Sequence, residues 1–356
     1  MGPQENVFLV EILGMTNHCN LRCVYCDWEK RSGHDLLESE IENARQNLIK
    51  TKEFIQCQYP QAKVVEYSGG ETFLYPALVE LVLDVFDDYW VRINTNGITS
   101  TKSDLKKMQK HRKAILAISM DGMNVQSNKC RRLSESFLQK IFYTIDLALY
   151  YNIPVMILCT INKENIDYLS DYLTEAATRW STEIESGKLV LPAHIMSTYN
   201  IPHPEATSMQ WDNLRIQMNA QWDNPLVRHI KKHYEGLLTT KHNCTIYRWA
   251  ASVHFLGENI LSKEGIFTAY RCGMRGIGKI GEFSVQNPNL LEIYRKEFQE
   301  KLDVTYDSYH CGCLVDWYAI DLIIKGEISL EDACQWFVLF QDETVQTWIK
   351  AYQNKL

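Results

Sequence analysis

Thr16-Asn17-His18-Cys19-Asn20-Leu21-Arg22-Cys23-Val24-Tyr25-Cys26 places three thiols at C-x3-C-x2-C spacing. Three soft ligands on so short a segment converge on one point, and thiolates select zinc, copper(I) or iron–sulfur clusters. A four-iron cluster held by only three cysteines keeps one iron without a protein ligand, open to a substrate or cofactor. Two readings compete with a cluster. One is a zinc site that draws a distant fourth ligand, although zinc knuckles prefer paired cysteines; the other is three unrelated buried thiols.

Outward from the triplet, the chain reads as repeated strand and helix. Residues 7–13 form a short apolar run with β-branched members and Glu11 as its sole charge, a buried strand that delivers the cysteine loop. Residues 36–54 carry apolar positions at helical spacing. Residues 64–67 read as a second strand ending in Ser68-Gly69-Gly70-Glu71, with a helix-like stretch over 77–89. Paired glycines at a strand end allow positive φ and close backbone approach. Residues 90–95 lead into Asn96-Gly97, 114–120 into Asp121-Gly122, and 154–160 into Asn162 and a helix over 165–173; residues 188–191 supply a further strand. Strand, turn and helix in this order give an α/β fold with a parallel sheet, and such folds place their chemistry at the carboxyl ends of the strands.

The triplet, with an aromatic directly before its last cysteine, resembles the signature of the radical S-adenosylmethionine (radical SAM) enzymes. The resemblance implies an incomplete (β/α) TIM-like barrel in which Cys19, Cys23 and Cys26 hold a [4Fe-4S] cluster. The open iron would chelate the amino and carboxylate groups of SAM. Gly69, Gly70 and Glu71 resemble the family's "GGE" motif, which hydrogen-bonds the SAM amino group. The strand ends Asn94-Thr95-Asn96-Gly97 and Ser119-Met120-Asp121-Gly122 would contact its ribose and carboxylate, which puts Asn94, Asn96 and Ser119 in the SAM shell. Tyr25 would pack near the adenine. Arg131 or Arg132 resembles the arginine that often follows the "DG" turn in relatives with a C-terminal cluster domain.

A second group of thiols, Cys244, Cys272, Cys311 and Cys313, lies among glycines that read as short hairpins. Small glycine-rich elements with cysteines need a metal to fold. The segment resembles the SPASM/twitch region of a radical SAM subgroup, through Cys244, Gly265 followed by Cys272, the stretch Gly278-Lys279-Ile280-Gly281, a helix over 290–301 and the closing pair. Relatives usually close with C-x2-C, whereas Cys311-Gly312-Cys313 is C-x-C, and further cysteines of a two-cluster region are missing. A twitch arrangement with one auxiliary iron–sulfur cluster, of [4Fe-4S] type, fits better; zinc on the same four cysteines is the alternative. Cys334 is a substitute ligand, but it sits in an apolar helical pattern that Ser329 and Asp332 open as a capping box, which reads as core.

Four segments follow: a radical SAM partial barrel over 1–197, a helical connector over 198–243, a cysteine-rich auxiliary-cluster domain over 244–315, and C-terminal helices over 316–356. In the connector Gln-Trp-Asp-Asn occurs at 210–213 and again at 221–224. Eleven residues is close to three helical turns, so both tryptophans share one packing face.

With 356 residues, 46% of them hydrophobic, the chain can bury a large core. A net charge of -7 argues against a partner gripped through phosphates, and the basic runs at 106–113 and 228–232 read as solvated helix faces. Neither a signal sequence nor an apolar run of membrane length appears, so a cytoplasmic protein without membrane contact is expected. In a reducing compartment its eleven cysteines read as metal ligands rather than disulfides.

The resemblance implies an enzyme that reductively cleaves SAM, fed by a reductant such as flavodoxin or ferredoxin. The resulting 5′-deoxyadenosyl radical takes hydrogen from an unactivated carbon. The expected substrate is small and polar, sugar- or aminocyclitol-like, with net oxidation through the auxiliary cluster. The triplet starts at residue 19, ahead of which no peptide-binding domain fits, and this tilts the expectation from a peptide to a small molecule. The alternatives are maturation of a ribosomally made peptide, by cross-linking or epimerisation, and a non-catalytic zinc or iron–sulfur module. For epimerisation Cys159, at the end of a barrel strand, is the candidate hydrogen-atom donor, and Cys130 a weaker one.

Overall fold

The computed structural model describes residues 8–26, 35–191, 193–195, 207–221, 253–256, 260–262, 266–270, 279–284, 287, 315–324 and 326–354. Strands and helices alternate: β1 (Leu9–Leu13), α1 (Glu38–Gln58), β2 (Val64–Ser68), α2 (Pro76–Val85), β3 (Trp90–Thr95), α3 (Lys102–Met108) and β4 (Ala114–Ser119). They continue through α4 (Glu135–Tyr150), β5 (Val155–Ile161), α5 (Leu169–Arg179), α6 (Ser181–Glu185) and β6 (Leu189–Val190). Strands β1 to β6 lie side by side in chain order, all parallel, as in the expected partial (β/α) barrel.

Side chains alternate across the sheet. Val10, Ile12, Val65, Tyr67, Val91, Ile93, Leu116, Ile118 and Ile157 pack into one core with the helices α1 to α6. Leu9, Val64, Trp90, Ile115, Ala117, Met156, Leu158 and Val190 face the other way, into a second core. Burial on both faces is why these strands read as near-continuous apolar runs.

Sequence locates the helix starts well. Pro76 opens α2, Thr101 and Asp104 form the capping box of α3, and the Ser134 hydroxyl accepts from Phe137 N–H at the head of α4. Helix α2 stops at Val85, short of the expected residue 89. Lys52 of α1 donates to the terminal Val85 carbonyl at 2.8 Å and pairs with Asp88 at 2.6 Å, which satisfies the helix end there.

Two further strands join the sheet. β7 (Ala193–Ile195) pairs with the end of β5, and β8 (Val253–Leu256) adds in parallel to the free side of β1. α7 (Ser208–Gln221) packs on the segment around 166–179. Leu214 and Trp211 join the core there, and the Gln210 amide donates to Lys163 O and Asp167 Oδ2. Trp211 thus lies on a packing face as expected; Trp222 is outside the described residues. β9 (Ile266–Tyr270) and β10 (Lys279–Ser284) form an antiparallel pair with a register shift between Lys279 and Gly281. Cys244, Cys272, Cys311 and Cys313, and the helix expected over 290–301, also lie outside the described residues.

The C-terminal helices α8 (Val315–Ile324), α9 (Leu330–Trp336) and α10 (Glu343–Gln353) build the second core. Trp348 packs its ring against Phe8 with centroids 4.9 Å apart, and Trp90 donates its indole N–H to Asp342 at 3.0 Å. These contacts lie at the starts of the strands, so the carboxyl ends stay uncovered by α8–α10. Cys334, in α9 behind the Ser329–Asp332 capping box, donates its thiol to Phe340 O and accepts from the Gln346 amide, a core role rather than an open ligand. Among the described residues, no helix is long and apolar enough to cross a membrane.

Candidate functional site

The cysteine loop leaves the end of β1 and runs across the carboxyl ends of β2, β3 and β4. Ahead of Cys19, the Gly14 N–H donates to Ser68 O at 2.8 Å and the Glu71 N–H donates to His18 O at 2.8 Å. The approach at β2 is so close that a Cβ on Gly70 would lie 2.4 Å from His18 O and 2.8 Å from Thr16 O; Gly70 also has φ +55°. Only glycine fits this contact. His18 adds a hydrogen bond to the Tyr75 hydroxyl at 3.2 Å.

Between Cys19 and Cys23, the Asn96 amide at the end of β3 donates to Asn20 Oδ1 at 2.7 Å. Between Cys23 and Cys26, the Tyr25 hydroxyl donates to Asp121 Oδ2 at the end of β4, at 2.6 Å, and Val24 N–H donates to Cys130 O at 2.7 Å. Each interval between cysteines is thus stitched to a different strand end.

Glu71 is fully buried and serves as the knot of the β2 and β3 ends. It accepts from Phe73 N–H, the Thr95 hydroxyl and Asn96 N–H at 2.6–3.1 Å. Burial raises its pKa, and these donors pull it back. Asp121 does the same for β4 and β5, holding Tyr25, the Arg131 guanidinium at 2.9 Å and Thr160 N–H at 3.0 Å. Of the two candidate arginines, Arg131 is buried and turned inward, while Arg132 is exposed in a left-handed turn. The Arg131 guanidinium stacks 5.4 Å over the Tyr25 ring.

Glu71, Asn96 and Tyr25, three of the residues expected to touch SAM, therefore spend their side chains on the protein, as does Arg131. Gly69 and Gly70 are both at positive φ at the end of β2, Gly69 buried and Gly70 partly exposed. Asn94 donates its amide to Glu66, and its Oδ1 is buried without a hydrogen-bond partner. Ser119 is half-buried at the end of β4.

Cys159 lies on the helix-facing side of β5, fully buried. Its thiol approaches Asp121 O and the Asn165 amide at 3.8 Å, and burial holds its pKa well above the usual thiol value. Cys130 is buried beside Asn162, its pKa pushed up to about 11.

Sequence reading missed the Asp121 carboxylate, Asn20, and a buried ion pair inside the sheet, Arg92 to Glu66 at 2.8 Å. The Asp-Gly dipeptide marked the turn, but the partners of Asp121 come from three separate segments, and no periodicity reports such a meeting.

The donor set fits a four-iron cluster. Cys19, Cys23 and Cys26 are part-exposed cysteine side chains. Burial raises the Cys19 pKa, the Leu21 N–H pointing at its sulfur at 3.4 Å opposes that, and Glu71, Cys23 and Cys26 are near enough to push it further up. Among the described residues, no three His, Cys, Asp or Glu side chains gather round a single-ion position. A cubane needs no such point, because each thiolate binds its own iron. The unpartnered Asn94 Oδ1 and the partly exposed Gly70 backbone suit a polar ligand beside it. A pocket of about 290 Å³ lined by Gln56, Lys63, Tyr89, Lys113 and Thr344 opens at the strand starts, away from the cysteines.

Residues 13–176 match the family described as the Radical SAM superfamily. The chain is 28% identical over 230 residues to the sporulation killing factor maturation protein SkfB of Bacillus subtilis, covering 64% of this chain and 54% of that protein. It is 26% identical over 170 residues to an uncharacterized protein of Methanocaldococcus jannaschii, covering 46% and 56%. The chain spans about half the length of the curated relatives it matches. Among solved structures, anSMEcpe with bound AdoMet superposes with TM-score 0.53 at 15% identity, over 82% of each chain. Streptococcus suis SuiB bound to precursor peptide SuiA gives 0.56 at 13% identity, over 96% of this chain and 76% of that one. At these identities the likeness is one of fold.

Proposed function

We propose that this protein is a radical SAM enzyme that modifies a peptide, with Cys19, Cys23 and Cys26 as the protein ligands of its SAM-binding [4Fe-4S] cluster. The observation that carries this reading is the cysteine loop fastened across three consecutive strand ends, the face where parallel α/β folds do chemistry. When bound, the cluster and SAM supply a 5′-deoxyadenosyl radical that removes a hydrogen atom from an unactivated carbon. The chain's own part is to bind, orient and exclude water.

In this reading the backbone of Gly69 and Gly70, Asn94 Oδ1 and the Ser119 hydroxyl face SAM. Glu71, Asn96, Tyr25 and Arg131 hold the loop in place instead. Cys159 points into the helix-side core, so returning a hydrogen atom is not assigned to it. A second, auxiliary cluster on Cys244, Cys272, Cys311 and Cys313, and net oxidation through it, belong to the proposal, as does a flavodoxin or ferredoxin as reductant.

The names of SkfB, a maturation protein, and of SuiB, bound to a precursor peptide, favour a peptide over the sugar- or aminocyclitol-like substrate expected from sequence. Co-expression with a short peptide encoded beside its own gene tests this by mass spectrometry. The expected product is a peptide short of two hydrogen atoms, as in an oxidative cross-link. An unmodified peptide, together with turnover of an aminocyclitol by the purified enzyme, would overturn the peptide reading.

A further inference from the structure

We infer that Asp121, acting with Arg131 and Tyr25, is a positioning device that sets the Cys23–Cys26 half of the loop against the ends of β4 and β5. The inference rests on the proposed cluster as the occupant of that loop. Asp121 is 1% exposed, and its carboxylate ties together three segments at this face. Oδ2 accepts from the Tyr25 hydroxyl of the cysteine loop at 2.6 Å; Oδ1 accepts from Arg131 at 2.9 Å and from Thr160 N–H of β5 at 3.0 Å. The Asp121 backbone is held as firmly, its N–H donating to Asn128 Oδ1 at 2.8 Å and its carbonyl accepting from Asn165. The carboxylate has little freedom to follow a moving loop.

Tyr25 is the lever. It stands two residues after Cys23 and one before Cys26, so fixing its ring fixes the approach of both sulfurs. The ring is gripped at its tip by Asp121 and over its face by the Arg131 guanidinium, while Val24 beside it is bonded to Cys130 O. The other stitch, Asn20 to Asn96, is a neutral hydrogen bond at a part-exposed site. The Tyr25 stitch is built on a buried ion pair, the side chains of Arg131 and Asp121 being 7% and 0% exposed. A buried ion pair adds little stability over an apolar pair of equal volume, but its charge-assisted bonds have fixed direction and length. What the arrangement gains is geometry. Displacing a reacting centre by 1 Å costs about 100-fold in rate, so a smaller slip of the loop is expected to cost about tenfold.

The experiment compares wild type, Tyr25→Phe, Asp121→Asn, Arg131→Lys, Arg131→Met and, as a control for lost polar contacts elsewhere, Asp146→Asn, which removes the charge facing Arg179 and Trp180. Two readouts are used on the full-length protein. In the cluster-free protein, alkylation of Cys23 and Cys26 relative to Cys19 is followed by mass spectrometry. In the reconstituted protein, iron and sulfide content is measured with the electron paramagnetic resonance spectrum of the reduced cluster, with and without SAM. Wild type that takes up no iron would defeat the radical SAM reading and leave the alkylation result to decide the positioning role alone. The expected result for Tyr25→Phe is wild-type melting and iron content, faster alkylation of Cys23 and Cys26, a broadened spectrum with a smaller SAM-induced change, and about tenfold slower SAM cleavage. Asp121→Asn should go further in the same direction, Arg131→Lys should restore part of what Arg131→Met loses, and Asp146→Asn should move neither readout. Should Asp121→Asn fail to fold, Tyr25→Phe decides. Tyr25→Phe with wild-type alkylation ratios and wild-type spectra in both states would overturn the inference.

Discussion

Gly70 is the residue at which the sequence pattern and the physical need coincide most closely. Its φ of +55° is open to glycine at little cost, and the carbonyls of His18 and Thr16 occupy the space a Cβ would take. Gly97 offers the comparison: its φ is +75°, and a Cβ there would meet the Ile118 side chain at 3.1 Å rather than the backbone of the cysteine loop. The left-handed conformation alone costs an ordinary residue roughly 1–2 kcal/mol. Gly70→Ala adds a backbone clash on the cysteine loop, so it should lower both the melting temperature and the iron retained after reconstitution, while Gly97→Ala should lower stability by the conformational cost and keep its iron. Equal iron in the two variants would contradict the close-contact role. The Gly-Gly-Glu motif was legible because glycine has a backbone signature. The use of Glu71 was not: sequence places its side chain at the site but cannot tell that Thr95, Asn96 and Phe73 take up its carboxylate before any ligand could.

The elements were legible in proportion to how locally they are decided. Each of the strands β1 to β5 is an apolar run, broken by Glu11 in β1, Glu66 in β2 and Arg92 and Asn94 in β3, that leads into a polar turn, and its limits emerge within a residue or two. β8 was not foreseen, since its pairing with β1 joins residues some 240 positions apart and nothing in four residues specifies that neighbour. The C-terminal helices were expected as a trailing segment, yet they form one wall of the second core. Trp348, 6% exposed and stacked on Phe8, anchors that wall. Trp348→Ala should destabilise the protein by about 3–5 kcal/mol in chemical denaturation. Because the contact is at the strand starts, SAM cleavage per folded molecule should stay at the wild-type level. A loss below about 1 kcal/mol would mean that the helices do not contribute to one cooperative core.

At the scale of the whole molecule, the two ends of the sheet divide the work. The starts of the strands are packed over by α8–α10, and their carboxyl ends carry the cysteine loop, the glycine turn and the buried carboxylates Glu71 and Asp121. This polarity is a property of parallel α/β folds, in which stability gathers at one end and chemistry at the other. It explains why three cysteines near residue 20 were enough to orient the reading of the rest. The central claim, that Cys19, Cys23 and Cys26 hold a SAM-cleaving cluster, is tested most directly by anaerobic reconstitution of wild type and Cys23→Ala, followed by reduction with SAM present and counting of 5′-deoxyadenosine. Wild type should bind about four irons for this site, or about eight with the auxiliary one. It should release 5′-deoxyadenosine and methionine, whereas Cys23→Ala should release neither. A wild-type protein that carries zinc alone, or one replete with iron that leaves SAM intact, would contradict it.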